Sequence, residues 1–160
     1  AEGPMFYVTN TSVNVDLEEV KFGFAKDAPL AEVVAGDWGE AGKNGGNLVL
    51  NAEQQHLEGD IVVDAISSVK FDMGSKVTYK GAINPNKQGT AVVVMDKTSK
   101  WTLAADSYLE SIEFAQPVEK GIKSINSKGY NIYYNPNNAD NAVLGGKTYS
   151  LKGGGLLLTY

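Results

Sequence analysis

The sequence contains no cysteine and no arginine, and it has a single histidine, His56. Without cysteine, disulfides, thiol catalysis and thiolate metal sites are all excluded. Without arginine, no guanidinium group can bind a carboxylate or a phosphate through two parallel hydrogen bonds. The 14 basic residues are therefore all lysines, and the net charge is -5 at pH 7. Because an acidic surface repels nucleic acid and anionic lipid, we expect neither as a partner.

Long hydrophobic stretches and targeting signals are absent as well. The longest apolar runs, residues 92–95 and 156–158 among them, are far shorter than the ~20 residues that span a bilayer, so we expect no membrane insertion. The first residues carry neither the basic nor the apolar segment of a signal peptide. With 160 residues, 42% of them hydrophobic, we expect one domain over residues 1–160, excised from a larger surface protein.

What the chain does contain is hydrophobic alternation with a period of two. The alternating stretches are residues 13–17, 61–63, 69–73, 77–79, 112–114 and 130–134. A period of two places alternate side chains on one face of a β-strand. Glycine, asparagine, aspartate and serine lie between these stretches and favour turns. The pattern predicts an all-β protein built from many short strands.

Two pairs of similar segments indicate a repeat. Residues 75–79 read SKVTY and residues 99–103 read SKWTL, an offset of 24 (99 minus 75). Residues 59–61 read GDI and residues 81–83 read GAI, an offset of 22 (81 minus 59). Repeats of this length are typical of solenoids, because one unit cannot bury its apolar face until a neighbour stacks on it. We predict a parallel β-helix with 22–24 residues per rung.

The SKVTY and SKWTL pair also predicts which side chains lie over one another in successive rungs, ~4.8 Å apart. The expected inner pairs are Val77 with Trp101 and Tyr79 with Leu103. The expected outer pairs are Lys76 with Lys100 and Thr78 with Thr102. A column of lysines must face water, because burying it would be prohibitively costly. The repeat therefore predicts which face of each strand lies inside.

The rung rhythm resembles that of a known fold family. Residues 54–83 and 99–114, followed by the asparagine- and glycine-rich residues 128–155, are similar to right-handed parallel β-helices of the pectate-lyase-like type. They resemble in particular the β-helical passenger and adhesin-like regions of bacterial secreted surface proteins. This resemblance implies an extracellular or cell-surface location, with a glycan or a cell-surface protein as partner. An antiparallel β-sandwich is the alternative fold; it explains the alternation but not the matched segments.

Two stretches interrupt the rhythm, and the ends need protection. Residues 36–47 are dense in glycine, residues 135–147 are dense in asparagine, and we expect both to project as loops. An uncovered end of a β-helix exposes strand edges that pair with other chains. Residues 149–160 are therefore predicted to form a cap or a final rung.

The candidate ligand-binding residues are aromatic. Trp38 lies in the first loop, where an exposed ring can stack on a sugar, although anchoring of the loop is the simpler interpretation. Tyr130, Tyr133 and Tyr134 lie among asparagines and form a second candidate. Strand alternation places Tyr133 on the opposite face from Tyr130 and Tyr134.

No metal or cofactor site is indicated apart from a calcium candidate at Asp60 and Asp64, whose simpler interpretation is a solvated acidic turn. On one strand these two carboxylates would lie ~13 Å apart, which exceeds the ~5–9.5 Å that glycosidases need. No nucleophile motif accompanies His56, which is expected on the surface at the start of a strand.

Taken together, these features favour a non-catalytic extracellular module that acts as a structural stalk or as an adhesin, binding carbohydrate or a protein partner. The alternative is a polysaccharide lyase or hydrolase of the β-helix type. A chain of about seven rungs is short for such an enzyme, and it offers no arginine base and no close carboxylate pair. The sequence does not predict the oligomeric state.

Overall fold

A computed structural model describes residues 3–160 and contains sixteen strands wound into a parallel β-solenoid of about 7 turns. In chain order the strands are β1 (Phe6–Val8), β2 (Thr11–Glu18), β3 (Ala31–Val33), β4 (Gly46–Glu53), β5 (His56–Glu58), β6 (Ile61–Val63), β7 (Ser68–Met73), β8 (Thr78–Lys80), β9 (Thr90–Met95), β10 (Lys100–Thr102), β11 (Ser107–Leu109), β12 (Ser111–Phe114), β13 (Ile125–Asn126), β14 (Ile132–Tyr134), β15 (Tyr149–Ser150) and β16 (Leu156–Thr159). One short helix, α1 (Val118–Gly121), and two 3₁₀ segments, Ile122–Ser124 and Ala139–Leu144, complete the fold. No helix among residues 3–160 is long and apolar enough to cross a bilayer.

The solenoid has three faces. The first face is a five-stranded parallel sheet in the order β2-β4-β7-β9-β12, and the second is the sheet β5-β8-β10-β13. The third face consists of the sheets β1-β3-β6 and β11-β14-β16, which residues 82–84 connect. Ile83 bridges to Ile61 on one side, and its C=O accepts from the N–H of Tyr108 on the other. The predicted parallel β-helix is therefore confirmed, and the sandwich alternative is wrong.

The register between rungs differs from the prediction by two residues. Trp101 lies beside Tyr79, not beside Val77, and Lys100 lies beside Thr78, not beside Lys76. The offset on this face is thus 22 (101 minus 79), which is the offset of the GDI and GAI segments and not that of SKVTY and SKWTL. A shift of two preserves the faces, and Val77, Tyr79, Trp101 and Leu103 are all buried as predicted.

The physical reason for this register lies partly in the outer side chains. In the observed register each lysine has a threonine as its cross-strand neighbour: Lys100 lies beside Thr78, and Lys80 lies beside Thr102. The predicted register would have aligned lysine with lysine, which is unfavourable directly across a strand pair.

Rung length varies along the molecule and between its faces. The offset grows to 25 from Ser107 to Ile132 (132 minus 107) and is 35 from Thr11 to Gly46 (46 minus 11). The predicted 22–24 residues per rung therefore holds on the second face, where the offsets are 22 (78 minus 56), 22 (101 minus 79) and 24 (125 minus 101). On the first face two offsets are shorter, 21 from Asn47 to Ser68 (68 minus 47) and 19 from Val92 to Ser111 (111 minus 92).

Aromatic side chains fill the centre of the core. The rings of Phe71 and Tyr79 lie 5.2 Å apart, and those of Tyr79 and Trp101 lie 6.1 Å apart. Their polar atoms have partners: Trp101 Nε1 donates to the C=O of Gly81 (2.8 Å), and the Tyr79 hydroxyl donates to the C=O of Gly59 (2.8 Å). Burial, and secondarily the charge of Asp60, raise the pKa of Tyr79 well above its ordinary value. The aromatic core is thus uncharged and its hydrogen bonds are made.

The C-terminal end of the solenoid is covered. Residues 149–160 supply both predicted features, because β16 pairs in parallel with β14 as a final rung and β15 pairs antiparallel with β16 as a cap. The expectation that residues 135–147 project is wrong. The segment Ala139–Leu144 lies across β12, where Asn141 accepts from the N–H of Ile112 (3.0 Å), and Leu144 is fully buried.

Candidate binding surface

A cluster of tyrosines lies on the third face, towards the C-terminal end. Tyr108 of β11 and Tyr133 of β14 are register partners, and their rings stack with centroids 4.8 Å apart and planes 6° from parallel. Both point outward, because their neighbours in each strand are buried. Tyr160, which follows β16, is 49% exposed. We call these three residues, together with Lys87 and Glu110, the tyrosine surface.

Lys87 connects two of the rings. It lies in the turn that precedes β9, and its Nζ is 5.4 Å from the ring centroid of Tyr108 and 5.5 Å from that of Tyr160. Both distances lie within the range of cation–π contacts. Burial is the main cause that raises the pKa of both phenols, and the charges of Asp106 at Tyr108 and of Glu110 at Tyr160 add to it. Both hydroxyls are therefore protonated at neutral pH and can donate hydrogen bonds.

Amide and carboxylate groups form the rim of this surface. Oε1 of Glu110 accepts from the side-chain amides of Asn135 (3.1 Å) and Asn138 (2.9 Å). On the other side of the tyrosine pair, Asp106 accepts from the backbone N–H of Asn131 (2.8 Å), whose amide group donates to the Tyr133 hydroxyl (3.3 Å). These contacts hold the polar groups in fixed positions around the rings. Such a combination of aromatic, amide and charged groups is suited to binding a ligand rich in hydroxyl groups.

The predicted aromatic binding residues differ in exposure and in position. Tyr133 is at the centre of the tyrosine surface, whereas Tyr134 is fully buried and its hydroxyl donates to the C=O of Lys147 (2.7 Å), so its prediction as a binding residue is wrong. The physical reason is the strand alternation, which turns Tyr134 inward. Tyr130 is 41% exposed in the turn before β14. Trp38 is 67% exposed in the loop before β4, several rungs away from Tyr133.

Sequence reasoning missed Tyr108, Tyr160 and Lys87. A signal for Tyr108 was available, because residues 106–110 read DSYLE and residues 131–135 read NIYYN at an offset of 25 (131 minus 106). In both segments the outward tyrosine lies between two carboxylate or amide side chains. No comparable signal marks Lys87 or Tyr160.

The calcium candidates, Asp60 and Asp64, accept hydrogen bonds from the backbone of neighbouring turns. Asp60 and Asp64 flank β6, and Oδ1 of Asp60 accepts from the N–H of Ala82 (2.7 Å). Asp64 accepts from the N–H of Ala35 (2.7 Å) through Oδ2 and from that of Ile66 (3.2 Å) through Oδ1. Within residues 3–160, no three acidic or histidine side chains are arranged to hold a metal ion. The two carboxylates thus serve as acceptors for backbone N–H groups of their own and neighbouring rungs.

Replacing Asp64 with asparagine should lower stability in a pH-dependent way. Burial raises the pKa of Asp64, but hydrogen bonds from Ala35, Ser67 and Ile66 together lower it below the ordinary value. The stabilisation is therefore complete above the unfolded pKa of about 4 and is lost as pH falls through the lower folded value. For this partly exposed group we expect Asp64→Asn to cost about 1 kcal/mol at neutral pH.

The measurement is urea unfolding of both proteins at neutral pH and at pH values below about 4. The difference in unfolding free energy should shrink only as pH falls through the lowered folded pKa of Asp64, because the native wild-type carboxyl becomes protonated there. A difference that stays constant across the range would contradict this role of the ionised carboxylate.

A second arrangement lies on the second face, around His56. As predicted, His56 begins a strand and is exposed. Its Nδ1 lies 2.7 Å from Oγ1 of Thr78, and its Nε2 lies 2.9 Å from Oε1 of Glu58. A hydroxyl, an imidazole and a carboxylate in this order form the general geometry of a base-activated nucleophile. Glu58 also lines a groove of about 710 Å³ between residues 24–29 and the corners that follow β5, β8 and β10.

Comparisons with known proteins give no relatives from which a role could be transferred. No protein-family model, no curated protein and no solved structure matches this chain.

Proposed function

We propose that this chain is a non-catalytic extracellular module, with a bacterial adhesin-like role, that binds carbohydrate through the tyrosine surface. The observation that carries the proposal is the stacked pair Tyr108–Tyr133 with Lys87 and Glu110 beside it. Tyrosine combines an apolar ring, which contacts the C–H groups of a sugar, with a hydroxyl group that hydrogen-bonds to it. Glu110, Asn135 and Asn138 can accept from or donate to sugar hydroxyls at the same place.

The solenoid supports this proposal through its rigidity. Parallel strands place Tyr108 and Tyr133 one rung apart, and each strand is hydrogen-bonded to the next. A preorganised surface loses little side-chain entropy on binding, which favours affinity for weakly held ligands such as glycans. The acidic surface and the resemblance to secreted β-helical proteins support an extracellular location.

The test is a glycan array followed by titration calorimetry with a glycan that binds. We expect Tyr160→Ala and Lys87→Ala each to weaken binding about fivefold, because one aromatic or cation–π contact contributes about 1 kcal/mol. Trp38→Ala is the matched control, since it removes a more exposed ring far from the surface. If no glycan binds, or if Trp38→Ala weakens binding as much as Tyr160→Ala, the proposal is wrong.

A polysaccharide-acting enzyme is the second candidate, and the contacts of His56 with Thr78 and Glu58 beside the groove favour it. In that case His56 would serve as the base and the groove would hold the chain. Incubation with polygalacturonate and neutral polysaccharides, with and without calcium, distinguishes the two functions. New reducing ends or unsaturated products that disappear in His56→Ala would favour the enzyme over the binding module.

A further inference from the structure

The N-terminal end of the solenoid is open. β1 and β2 are the first strands of their sheets, and their outer edges pair with no strand of residues 3–160. The apolar residues of this rung that pack against the core are only half-buried; they include Phe6, Val13, Val15, Leu17 and Phe22. At the other end, Leu144 and Leu157 are fully buried under the cap. The two ends of the same core therefore differ in how far they are covered.

The open edge of β2 offers unpaired backbone groups. Along the first face, inward residues direct their C=O to the next rung: Ala52 accepts from Gly74 (2.9 Å), and Met73 accepts from Asp96 (2.8 Å). By the same alternation, Val13, Val15 and Leu17 bond to β4. The N–H and C=O groups of the outward residues of β2 are left at the open edge. This eight-residue strand has no proline and no lysine, so Asp16 and Glu18 are the only charged residues that restrict pairing along it.

We propose that a second copy of the chain covers this end, in a twofold dimer in which β2 pairs antiparallel with β2 of the other copy about Val15. Pairing with the C-terminal end of another copy is blocked, because β15 covers β16 and Ala139–Leu144 covers β12. Within the part of the chain that the structure describes, the N-terminal end is the one left open, so it meets its own equivalent, which gives a closed isologous contact and not a filament.

The charges of β2 select the antiparallel direction. Its outward side chains become acidic along the strand, in the order Ser12, Asn14, Asp16 and Glu18. Antiparallel pairing about Val15 places Ser12 opposite Glu18 and Asn14 opposite Asp16, so no two carboxylates face each other. Parallel pairing in the same register would place each carboxylate beside its copy, which is unfavourable.

The polar and apolar contacts of the dimer also match those inside the molecule. Asn14 would meet Asp16 as Asn51 already does, with its amide 2.8 Å from Oδ1 of Asp16. On the inner side, Val13 would meet Leu17, and Val15 would meet Val15 of the second copy. These residues pair with buried residues of β4 on their other side. The dimer thus continues the first face as one ten-stranded sheet across the twofold axis and pairs the open edge of β2 in both copies.

Because the chain contains no cysteine, a single cysteine substitution can be used to test the dimer by disulfide cross-linking. Opposed Val15 residues would form a non-hydrogen-bonded pair with Cα atoms about 4.5 Å apart, within the range for a disulfide. We therefore expect Val15→Cys to form a covalent dimer under mild oxidation. Wild-type protein should have twice the 17.1 kDa mass of one chain in light scattering after size exclusion.

Glu18→Cys is the control for strand direction. In the antiparallel dimer two residues at this position lie about 20 Å apart, given ~3.4 Å per residue over six residues, so it should not cross-link to itself. Mixing Ser12→Cys with Glu18→Cys should give a heterodimeric disulfide. A monomeric wild type overturns the proposal, as does equal self-cross-linking of Val15→Cys and Glu18→Cys, or a dimer in which Val15→Cys does not cross-link.

Discussion

Replacing Trp101 with alanine should destabilise the protein by about 3–5 kcal/mol. Trp101 is completely buried, lies between Tyr79 and Ile125 in adjacent rungs, and donates to the C=O of Gly81 (2.8 Å). Alanine would leave a cavity at the centre of the column and deprive a buried carbonyl of its donor. Since domains of this size are stable by about 5–15 kcal/mol, the variant is expected to unfold easily or to lose its structure altogether.

The second tryptophan provides the matched control. Trp38 is 67% exposed, and we expect Trp38→Ala to change the unfolding free energy by less than about 0.5 kcal/mol. Urea unfolding followed by circular dichroism measures both variants. Because the two substitutions remove the same side chain, composition cannot explain a difference between them. Equal effects would mean that Trp101 does not occupy the centre of the core.

The sequence predicted the parallel β-solenoid and the inward and outward faces of its strands. It did not predict the register between rungs, because the two pairs of similar segments differ in offset. The Gly59 and Gly81 segments gave the correct offset, because the backbone restricts these corners. Gly59 has φ +111°, and a Cβ at Gly81 would clash with the C=O of Gly59. The SKVTY and SKWTL segments resemble each other in outward lysine and threonine, which any rung tolerates. A similarity in backbone-restricted residues is thus the better guide to register.

The tyrosine surface was only partly predictable, because its residues come from four successive turns of the solenoid. Tyr133 is recognisable from its neighbours in the sequence, but its partner Tyr108 is 25 residues away (133 minus 108), while β5, β8 and β10 on the second face repeat every 22 residues. Without the length of each rung, the sequence cannot show which side chains become neighbours. Short elements were missed for a related reason. A four-residue helix such as α1, which follows Pro117, has too few residues for a periodic pattern.

The covered C-terminal end shows how a short segment can end a repeat structure without adding a further strand. Nothing in its composition separates residues 135–147 from a projecting loop, yet the amide of Asn141 donates to the C=O groups of Glu110 (2.9 Å) and Asn135 (2.7 Å). One buried asparagine therefore replaces part of the hydrogen bonding that a further strand would supply. Asn141 thus serves the edge of the sheet, whereas Asn137, Asp140 and Lys147 of the same segment are exposed to solvent.

Gly155→Ala should be the most disruptive glycine substitution in the final rung. Gly155 N–H donates to Oγ of Ser127 (2.8 Å), and its C=O accepts from the N–H of Leu151 (2.9 Å). A Cβ here would point at the backbone C=O of Tyr130, closer than Cβ atoms approach any neighbour. Backbone cannot move aside as a flexible side chain can, so we expect a cost of about 3 kcal/mol or more and detachment of β15 and β16.

Hydrogen exchange resolves this effect along the chain, because neighbouring rungs of a solenoid contribute separately to stability. Amides of β14 and β16 should lose protection in Gly155→Ala, while those of β7 and β8 keep theirs. Gly23→Ala is the control, since no atom lies within 4 Å of its Cβ position and its φ is not positive; we expect a change below about 0.5 kcal/mol. If Gly155→Ala is tolerated equally well, the close contact between Gly155 and Tyr130 does not hold the final rung in place.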